Sequence, residues 1–391
     1  MEFRFSEEDR QFRSDLTSFL EDHLPDGWWG EEPYDDSVWP FTLETRKKLG
    51  EKGWLAISWP KEYGGQDASP GQAMIYSEEM AYHRAPGKDI QGVGFLGPCL
   101  MIHGTEEQRR KHLRPISEGK VTWCQGFSEP ESGSDLASLK TRAVEDGDDY
   151  VITGQKIWSS GAHQSDWCHL LARTDPDAPK HRGITYFLID MNTPGVDVRR
   201  ITDLTGHQRF NEIFLDNVRV PKENVIGEVN RGWYAAMSTL DFERTGIENS
   251  ADIRRMVDDL VQYARETPWN GGVLAENPGA MGKLAEMRID AEISRMLSYR
   301  VMWLQSVGQV PNYEASVAKS FGSEMVQKCT NLAMQILGMA SQLNEDSKWA
   351  PFKGYVERTY LNAISRTIAG GTTEVQRNII ATRGLGLPRG T

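Results

Sequence analysis

The chain has 391 residues, of which 39% are hydrophobic and 26% are charged, and its formal net charge is −12. This length and composition are typical of a folded protein with two or three packed units, and they exclude a largely disordered chain. The negative charge opposes unspecific attraction to nucleic acid or to anionic lipid, so neither is expected as a partner, although a local basic pocket could still hold a small anionic ligand.

Residues 1–119 are predicted to form a helical domain. Ser6 stands directly before three acidic residues, which is typical of a helix start, and apolar residues then recur on one helical face. Residues 70–86 and 105–118 are also predicted to be helical, because they lie between glycine and proline breaks. We expect a cytoplasmic protein, since the amino terminus lacks the layout of a signal peptide and no apolar run reaches the length of a membrane span.

Residues 120–230 lack the helical periodicity of the preceding part and are predicted to form a small β domain. Short β-rich segments alternate there with Gly, Pro, Asp and Asn residues. The predicted strands lie within residues 149–153, 169–172, 183–189, 196–198 and 212–215.

Residues 231–391 return to helical periodicity and are predicted to form a helical bundle. Two apolar stripes at helical spacing are interpreted as bundle core, not as a cofactor site. The first stripe consists of Ile253, Met256, Val257, Leu260, Val261 and Ala264, and the second of Met281, Leu284, Ala285, Ile289, Ile293, Met296 and Leu297. Helices, then strands, then helices make the fold class α+β.

The sequence offers little support for a metal or dinucleotide site. The four cysteines lie far apart and are interpreted as reduced thiols. The histidines show no pair at metal-ligand spacing on a clear helix, so no metal is expected. No Gly-x-Gly-x-x-Gly follows a predicted strand, which disfavours a Rossmann site.

Two segments of the predicted β domain concentrate small polar residues around a tryptophan. Residues 123–135 read Trp-Cys-Gln-Gly-Phe-Ser-Glu-Pro-Glu-Ser-Gly-Ser-Asp, and residues 154–161 read Gly-Gln-Lys-Ile-Trp-Ser-Ser-Gly. A flavin ring needs hydroxyl and backbone donors at its polar edges and an aromatic wall that excludes water. Trp158 would be the wall, Gly133 would let the backbone approach a ligand, and the hydroxyl donors would be Ser128, Ser132, Ser134 and Ser160. The alternative interpretation of either segment alone is a surface turn that leads into an ordinary strand.

Together, in this order and spacing, the two segments resemble the flavin-binding region of the acyl-CoA dehydrogenase family. The resemblance covers almost the whole chain, because further motifs occur in family order. These motifs are residues 59–65 (Trp-Pro-Lys-Glu-Tyr-Gly-Gly), 104–108 (Gly-Thr-Glu-Glu-Gln), 218–221 (Val-Arg-Val-Pro) with Gly227, 313–319 (Tyr-Glu-Ala-Ser-Val-Ala-Lys), 335–338 (Gln-Ile-Leu-Gly) and 371–380 (Gly-Thr-Thr-Glu-Val-Gln-Arg-Asn-Ile-Ile).

The resemblance implies a helical domain, a β domain and a four-helix bundle, and FAD-dependent α,β-dehydrogenation of an acyl-CoA thioester. Its implied electron acceptor is an electron-transfer flavoprotein. By motif, Ser134 would lie where the pyrophosphate of FAD and the pantetheine of the substrate approach. The implied cofactor-binding residues are Gln125, Phe127, Ser128, Ser134, Trp158 and Ser160, with Thr372 and Glu374 from the carboxyl-terminal segment.

The reaction needs a carboxylate that removes the α-proton of the substrate. Many family members carry it directly before the Gly-Thr of the carboxyl-terminal motif, where this chain has Gly370. A second family pattern places a glutamate on a bundle helix, and Glu243 matches that pattern. Leu240, Glu243 and Ile247 are spaced three and four apart, so this carboxylate would fall on an apolar stripe, which is anomalous for a charged group. The alternative is a rim carboxylate, or one neutralised by a cation such as Arg244.

Gly370 and Arg244 are expected beside the substrate. In the family, the backbone N–H at the position of Gly370 hydrogen-bonds the thioester carbonyl and stabilises the developing enolate. The missing side chain would also leave room beside the α-carbon, so we expect a branched or bulky acyl group.

Two elements of the family that hold the cofactor across a dimer interface are changed in this chain. Thr267 stands where an arginine is usual, and Gly338 is followed by Met339 where a second glycine is usual. The protein is therefore expected either as a homo-oligomer or as one chain of a hetero-oligomer, as in bacterial members that act on steroid side chains. The functional alternatives are a partner subunit that only helps to build a flavin site, and a flavin oxidase or monooxygenase on the same scaffold.

Overall fold

The computed structural model of the chain describes residues 5–240 and 246–388. The helices are α1 (Glu7–His23), α2 (Trp39–Glu51), α3 (Pro70–Tyr82), α4 (Gly97–His103), α5 (Glu106–Ser117), α6 (Gly232–Leu240), α7 (Ile247–Glu266), α8 (Pro278–Ser306), α9 (Tyr313–Leu337), α10 (Tyr355–Arg366) and α11 (Thr373–Ile379). The strands are β1 (Trp123–Gly126), β2 (Arg142–Asp146), β3 (Asp149–Lys156), β4 (Trp167–Arg173), β5 (Ile184–Asp190), β6 (Val196–Ile201), β7 (Phe210–Pro221), β8 (Val225–Ile226), β9 (Pro268–Trp269) and β10 (Gly272–Val273). This order confirms the α+β prediction.

The amino-terminal helices begin where the capping chemistry of the sequence places them. Ser6 accepts a hydrogen bond from the backbone N–H of Asp9, whose carboxylate accepts one from Ser6 in return. Ser69 and Thr105 make the same reciprocal cap with a glutamine at the start of α3 and α5. Each cap satisfies backbone donors that a helix start otherwise leaves without partners.

The chain forms two compact units. One consists of Met1–Glu31, Ala68–Ala85 and Arg244–Thr391, and the other of Glu32–Asp67 and Pro86–Glu243. The first unit contains the long helices α7 to α10 together with α1, α3 and α11, and the second contains strands β1 to β8.

Among the residues that the structure describes, no helix combines the length and the low polarity that crossing a membrane requires.

Within the described part of the second unit, eight strands form one mixed sheet. Seven of them follow the order β6-β7-β3-β2-β4-β5-β8, and β1 pairs with β4. The β1–β4 pairing is parallel, so the chain leaves β1 at the same edge where β4 ends. The apolar residues of β4 and β5 are almost entirely buried, which matches their uninterrupted hydrophobic runs.

The core of the first unit lies between α7, α8, α9 and α10. It confirms the predicted stripe on α7, where Ile253, Met256, Leu260 and Ala264 are buried. The prediction for α8 is wrong for five of its seven residues. Ala285 is exposed, and so are 39% of Met281, 60% of Ile289, 43% of Ile293 and 42% of Met296. The buried face of α8 keeps Leu284 of the predicted stripe and adds Met287, Ala291, Ser294 and Ser298. The small residues on that face allow close helix packing, and α8 therefore presents a second apolar face to the outside.

A buried carboxylate joins four helices of the first unit. Glu78 of α3 contacts Arg13 of α1 at 2.7 Å, Arg254 of α7 at 2.8 Å and Arg295 of α8 at 2.6 Å, and it accepts a hydrogen bond of 3.1 Å from Tyr299. Burial alone would raise the pKa of Glu78, but the arginines outweigh it and hold the pKa below its usual value. Glu78 is therefore ionised at neutral pH and balances several positive charges.

Glu78→Gln is expected to lower the free energy of unfolding by about 3 kcal/mol at neutral pH, because partly buried guanidinium groups lose their counter-charge. The pKa of this carboxyl is lower in the folded than in the unfolded chain, so its contribution is complete above the unfolded value of about 4.3 and is lost as the pH falls further. Chemical denaturation of wild type and variant at neutral and acidic pH measures both effects. The control is Glu7→Gln, which removes an exposed pair with Arg10 and should cost at most about 1 kcal/mol; an equal loss in both variants would contradict this role of Glu78.

Candidate active site

The two serine-rich segments of the sequence lie side by side in the second unit. The hydroxyl of Ser159 donates a 2.8 Å hydrogen bond to the carbonyl of Gln125. The backbone N–H of Ile157 donates a 2.9 Å hydrogen bond to the carbonyl of Ser128. The structure thus joins the segment after β1 to the segment after β3.

A buried ion pair also links these segments. The Lys156 ammonium donates hydrogen bonds to a carboxylate oxygen of Glu129 at 2.8 Å and to the carbonyl of Phe127 at 3.2 Å. Glu129 also accepts from the backbone N–H groups of Lys140 at 2.6 Å and Thr141 at 2.9 Å. Burial alone would raise the pKa of Glu129, but the ammonium and these donors hold the pKa below its usual value. Burial lowers the pKa of Lys156, although Glu129 acts in the opposite direction.

Trp158 stands at the surface in an unusual backbone conformation. Its φ angle is 63°, in the left-handed region that large side chains rarely adopt, and 56% of the residue is exposed. Its ring meets Phe210 edge to face at 5.9 Å. A tryptophan with more than half of its surface exposed is available to cover a flat ligand, and backbone strain of this kind concentrates at binding sites.

Strand β7 holds the Trp158 loop in this conformation. The backbone N–H of Ser159 donates to the carbonyl of Asn211 at 3.0 Å, and the side chain of Asn211 returns a 2.9 Å hydrogen bond to the carbonyl of Ser159. Gly161 has a φ of 67°, and a side chain there would collide with the ring of Tyr34. The loop can therefore follow this path only with glycine at position 161.

The donors of this region fit the flavin group that the sequence predicts. The side-chain amide nitrogen of Gln125 is buried and has no hydrogen-bond partner among the described residues, an arrangement that a ligand carbonyl would satisfy. Ser128 and Ser160 are half-buried, and their hydroxyl groups supply further donors. The ring of Phe127 is buried and packs edge to face against His169 and Tyr186.

The end of the first segment is open to solvent. Ser134 is exposed, and Gly133 has free space where a side chain would begin. Asp135 accepts hydrogen bonds from Lys180 at 2.5 Å and from Ser138 at 2.6 Å. This fixed but uncovered turn offers room for a polar ligand group near Ser134.

The carboxyl-terminal motif forms a glycine turn in the first unit. Gly370 and Gly371 have φ angles of 67° and 89°, which strongly favour glycine. The ammonium of Lys319 donates to the carbonyl of Gly371 at 2.6 Å and to that of Arg366 at 3.3 Å. The side chain of Gln376 is buried and donates to the carbonyl of Gly370 at 3.2 Å. Apart from its own chain neighbours, no atom of the described residues lies within 4 Å of the point where a side chain of Gly370 would begin.

Thr372 and Glu374 lie directly after this turn. The Thr372 hydroxyl accepts a 3.2 Å hydrogen bond from the backbone N–H of Val375 and caps α11. Hydrogen bonds from the backbone N–H of Glu374 and from Thr372 hold the pKa of Glu374 below its usual value. Glu374 is therefore an ionised, exposed acceptor at neutral pH.

Glu243 and Arg244 lie outside the residues that the structure describes. Helix α6 precedes them and ends at Leu240, and α7 follows and begins at Ile247. Of the two changed family positions, Thr267 follows the last residue of α7 as its cap, and Met339 is 81% exposed.

The sequence does not reveal the residues whose hydrogen bonds hold the two segments and the glycine turn in place. The motif resemblance gives no role to Lys156, Glu129 or Ser159, although each of them makes a contact that joins the two segments. The same holds for Lys319 and Gln376 at the glycine turn. The only signal available for Lys156 was its position between the predicted strand 149–153 and Trp158, inside the segment 154–161.

Comparisons with known proteins match the whole length of the chain. Residues 6–120, 124–218 and 230–385 match the acyl-CoA dehydrogenase N-terminal, middle and C-terminal domains. The acyl-CoA dehydrogenase FadE26 of Mycobacterium tuberculosis is 37% identical over 354 residues, which are 88% of this chain and 88% of that protein. FadE34 of the same organism is 37% identical over 341 residues, which are 87% of this chain but only 46% of that longer protein.

Solved structures also resemble this chain over its full length. The Tcur3481-Tcur3483 steroid ACAD has a TM-score of 0.89 at 34% identity, and the match covers 100% of both chains. The ChsE4-ChsE5 complex from Mycobacterium tuberculosis has a TM-score of 0.91 at 33% identity, again over 100% of both chains.

Proposed function

The chain belongs to the acyl-CoA dehydrogenase family of oxidoreductases, and from that premise we propose that it oxidises an acyl-CoA thioester to the 2-enoyl-CoA with FAD as its cofactor. The observation that carries this proposal is the pair of joined segments in the second unit, with the unsatisfied amide of Gln125 between them. Bound FAD supplies the acceptor for the hydride that leaves the β-carbon.

Two groups of residues are proposed to hold the cofactor. Gln125, Ser128 and Ser160 supply donors to the polar edges of the ring, and Trp158 covers one of its faces. Ser134 is assigned to the pyrophosphate and the pantetheine of the substrate, because its turn is fixed but open to solvent. The family resemblance adds Thr372 and Glu374. Phe127 contributes through its backbone, since its ring is used in the core.

Glu243 is proposed as the base that takes the α-proton. The support is its match to the family pattern and its spacing with Leu240 and Ile247, which places a carboxylate on an apolar stripe. The α-proton passes to this carboxylate as the β-hydrogen leaves with its electron pair, so the two hydrogens and two electrons are accounted for. The N–H of Gly370 is proposed to stabilise the negative charge that develops on the thioester oxygen, with Arg244 near the substrate.

The acyl group is proposed to be branched or bulky, of the steroid side-chain type. Gly370 supports this, because it is exposed and no described atom beyond its chain neighbours lies within 4 Å of the point where a side chain would begin. The name of one structural neighbour, a steroid ACAD, points in the same direction.

The protein is proposed to work as an oligomer that passes electrons to an electron-transfer flavoprotein. The exposed apolar face of α8 supports the oligomer, since surfaces of this kind are normally covered by a partner. A complex of two different chains is the second candidate, and the ChsE4-ChsE5 complex among the structural neighbours favours it. Bound flavin in protein purified without any partner would exclude a subunit that needs a second chain to bind FAD.

Ile289→Asp is expected to dissociate this oligomer, because it places a charge on the exposed face of α8 where a partner would exclude water. Sedimentation velocity of wild type and variant measures the change. The control is Val144→Asp on β2, where the wild-type residue is similarly exposed, at 56% compared with 60% for Ile289. An unchanged assembly in the Ile289 variant, or equal dissociation in both, would contradict the assignment of this face.

The function itself is tested by mixing the FAD-loaded protein with acyl-CoA in the absence of oxygen. Loss of the visible flavin absorption and formation of the 2-enoyl-CoA are expected. Hydrogen peroxide as the main product in air, formed as electrons from the oxidised substrate pass through the flavin to oxygen, would instead indicate an oxidase, and an oxygenated product would indicate a monooxygenase.

A further inference from the structure

The Lys156–Glu129 pair is unusual because of its burial. The side chain of Lys156 is entirely buried, and that of Glu129 is 7% exposed. Lysine is among the residues least often buried, because removing an ammonium from water costs free energy that an ion pair only partly returns. An apolar pair of similar size would usually stabilise a fold equally well, so this pair calls for a role other than stability.

Each partner comes from a different cofactor segment. Glu129 follows β1 in the first segment, and Lys156 is the last residue of β3, directly before the Trp158 loop. The Glu129 carboxylate is fixed by two backbone N–H groups as well as by Lys156. The ammonium therefore reaches a carboxylate that is already held in place.

The same ammonium orients the peptide group between Phe127 and Ser128. The ammonium of Lys156 donates a 3.2 Å hydrogen bond to the carbonyl of Phe127. In a trans peptide the carbonyl and the following N–H point in opposite directions, so the N–H of Ser128 points away from Lys156. The carbonyl of Ser128 is fixed in turn by the N–H of Ile157. Residues 156 and 157 thus determine the orientation of both peptide groups that flank Ser128.

We infer that the buried Lys156–Glu129 pair is a positioning device that sets Ser128 for cofactor binding. This inference rests on the proposed function, in which Ser128 contacts FAD. Lys156 and Glu129 act through the backbone and touch neither cofactor nor substrate in this role.

The test uses the neutral double variant Glu129→Gln/Lys156→Met, which removes both charges together and leaves no unpaired one. The dissociation constant of FAD from the apoprotein is measured by flavin fluorescence, and the folded state by circular dichroism and thermal unfolding. FAD binding is expected to weaken about tenfold or more, the loss expected from one or two misplaced hydrogen bonds, while the fold is retained. The visible spectrum of the bound flavin should also shift, which a purely structural pair would not cause.

The chain contains a matched control on the same loop. Lys140 and Glu131 form an ion pair in which both side chains are 75% exposed, and exposed pairs contribute little. Glu131→Gln/Lys140→Met is therefore expected to change the dissociation constant by less than about twofold. Equal weakening in both double variants would overturn the inference.

Further outcomes of the same experiment decide whether the Lys156–Glu129 pair positions Ser128. If the buried double variant binds FAD as tightly as wild type, with the same spectrum, the pair does not position Ser128. If it does not fold, Glu129→Leu/Lys156→Met supplies an apolar pair for the same measurement, and failure of both to fold would show a folding role and overturn the inference. If wild type itself binds no FAD, it is the proposed function that fails, and the two failures are thereby distinguished.

Discussion

Glu243→Gln is expected to bind FAD and acyl-CoA as wild type does but to lose flavin absorption 10²–10⁴-fold more slowly, about the contribution of a general base. Glutamine keeps the size and the polarity of the side chain but cannot take the α-proton. Stopped-flow mixing with acyl-CoA under anaerobic conditions measures the rate, and flavin fluorescence measures cofactor binding separately. A lower rate with unchanged binding assigns the loss to proton removal.

The matched control for this variant is Glu248→Gln. Glu248 lies in the first turn of α7, five positions beyond Glu243 in the chain. Loss of its charge should cost at most about 1 kcal/mol of stability from the helix dipole and should leave the rate of flavin reduction unchanged. Wild-type rates for Glu243→Gln would refute the assignment of the base.

Gly370→Ala is expected to lower kcat/KM for branched or ring-containing acyl-CoA by roughly 10–200-fold, the usual effect of one misplaced methyl group in an apolar pocket. Alanine keeps the backbone N–H that is proposed to bind the thioester oxygen, so straight-chain substrates should be affected much less. The new methyl group would project into space that no described atom occupies within 4 Å. Steady-state kinetics with matched straight and branched substrates measure this ratio.

Backbone strain could imitate such an effect, and the chain provides a control for it. Gly386 has the same φ of 67° as Gly370 and also has free space where a side chain would begin. Gly386→Ala should therefore carry the same strain of about 1–2 kcal/mol without changing the preference between acyl groups. An equal loss for straight and branched substrates in Gly370→Ala would contradict the proposed pocket.

The parts of the fold that depend on local chemistry could be predicted from the sequence. Ser6 caps α1 because its side chain and that of Asp9 lie within one turn of each other. Strands β3 to β7 coincide with the predicted segments, since their apolar runs are short and bounded by turn residues. The two serine-rich segments carry one resemblance in the sequence, and the hydrogen bond between Ser159 and Gln125 shows that they also lie side by side in the fold.

The errors and omissions concern contacts between distant residues. Periodicity shows that α8 has apolar faces, but only the packing of α7 and α9 decides that Leu284 and Met287 are buried while Ile289 is exposed. Lys156 resembles any lysine of a polar strand, and its partner Glu129 lies 27 positions away. A sequence pattern of period two or 3.6 contains no information about such a pairing.

The most direct test of the central claim is anaerobic flavin reduction across a graded set of acyl-CoA substrates. The FAD-loaded wild-type protein is mixed with straight chains of increasing length, with branched chains and with chains that carry a ring system, and the loss of visible flavin absorption is followed. We expect reduction by acyl-CoA, fastest with a branched or ring-containing substrate. Reduction by none of them would contradict the proposed dehydrogenase activity, and fastest reduction by straight, medium-length chains would contradict the proposed substrate class.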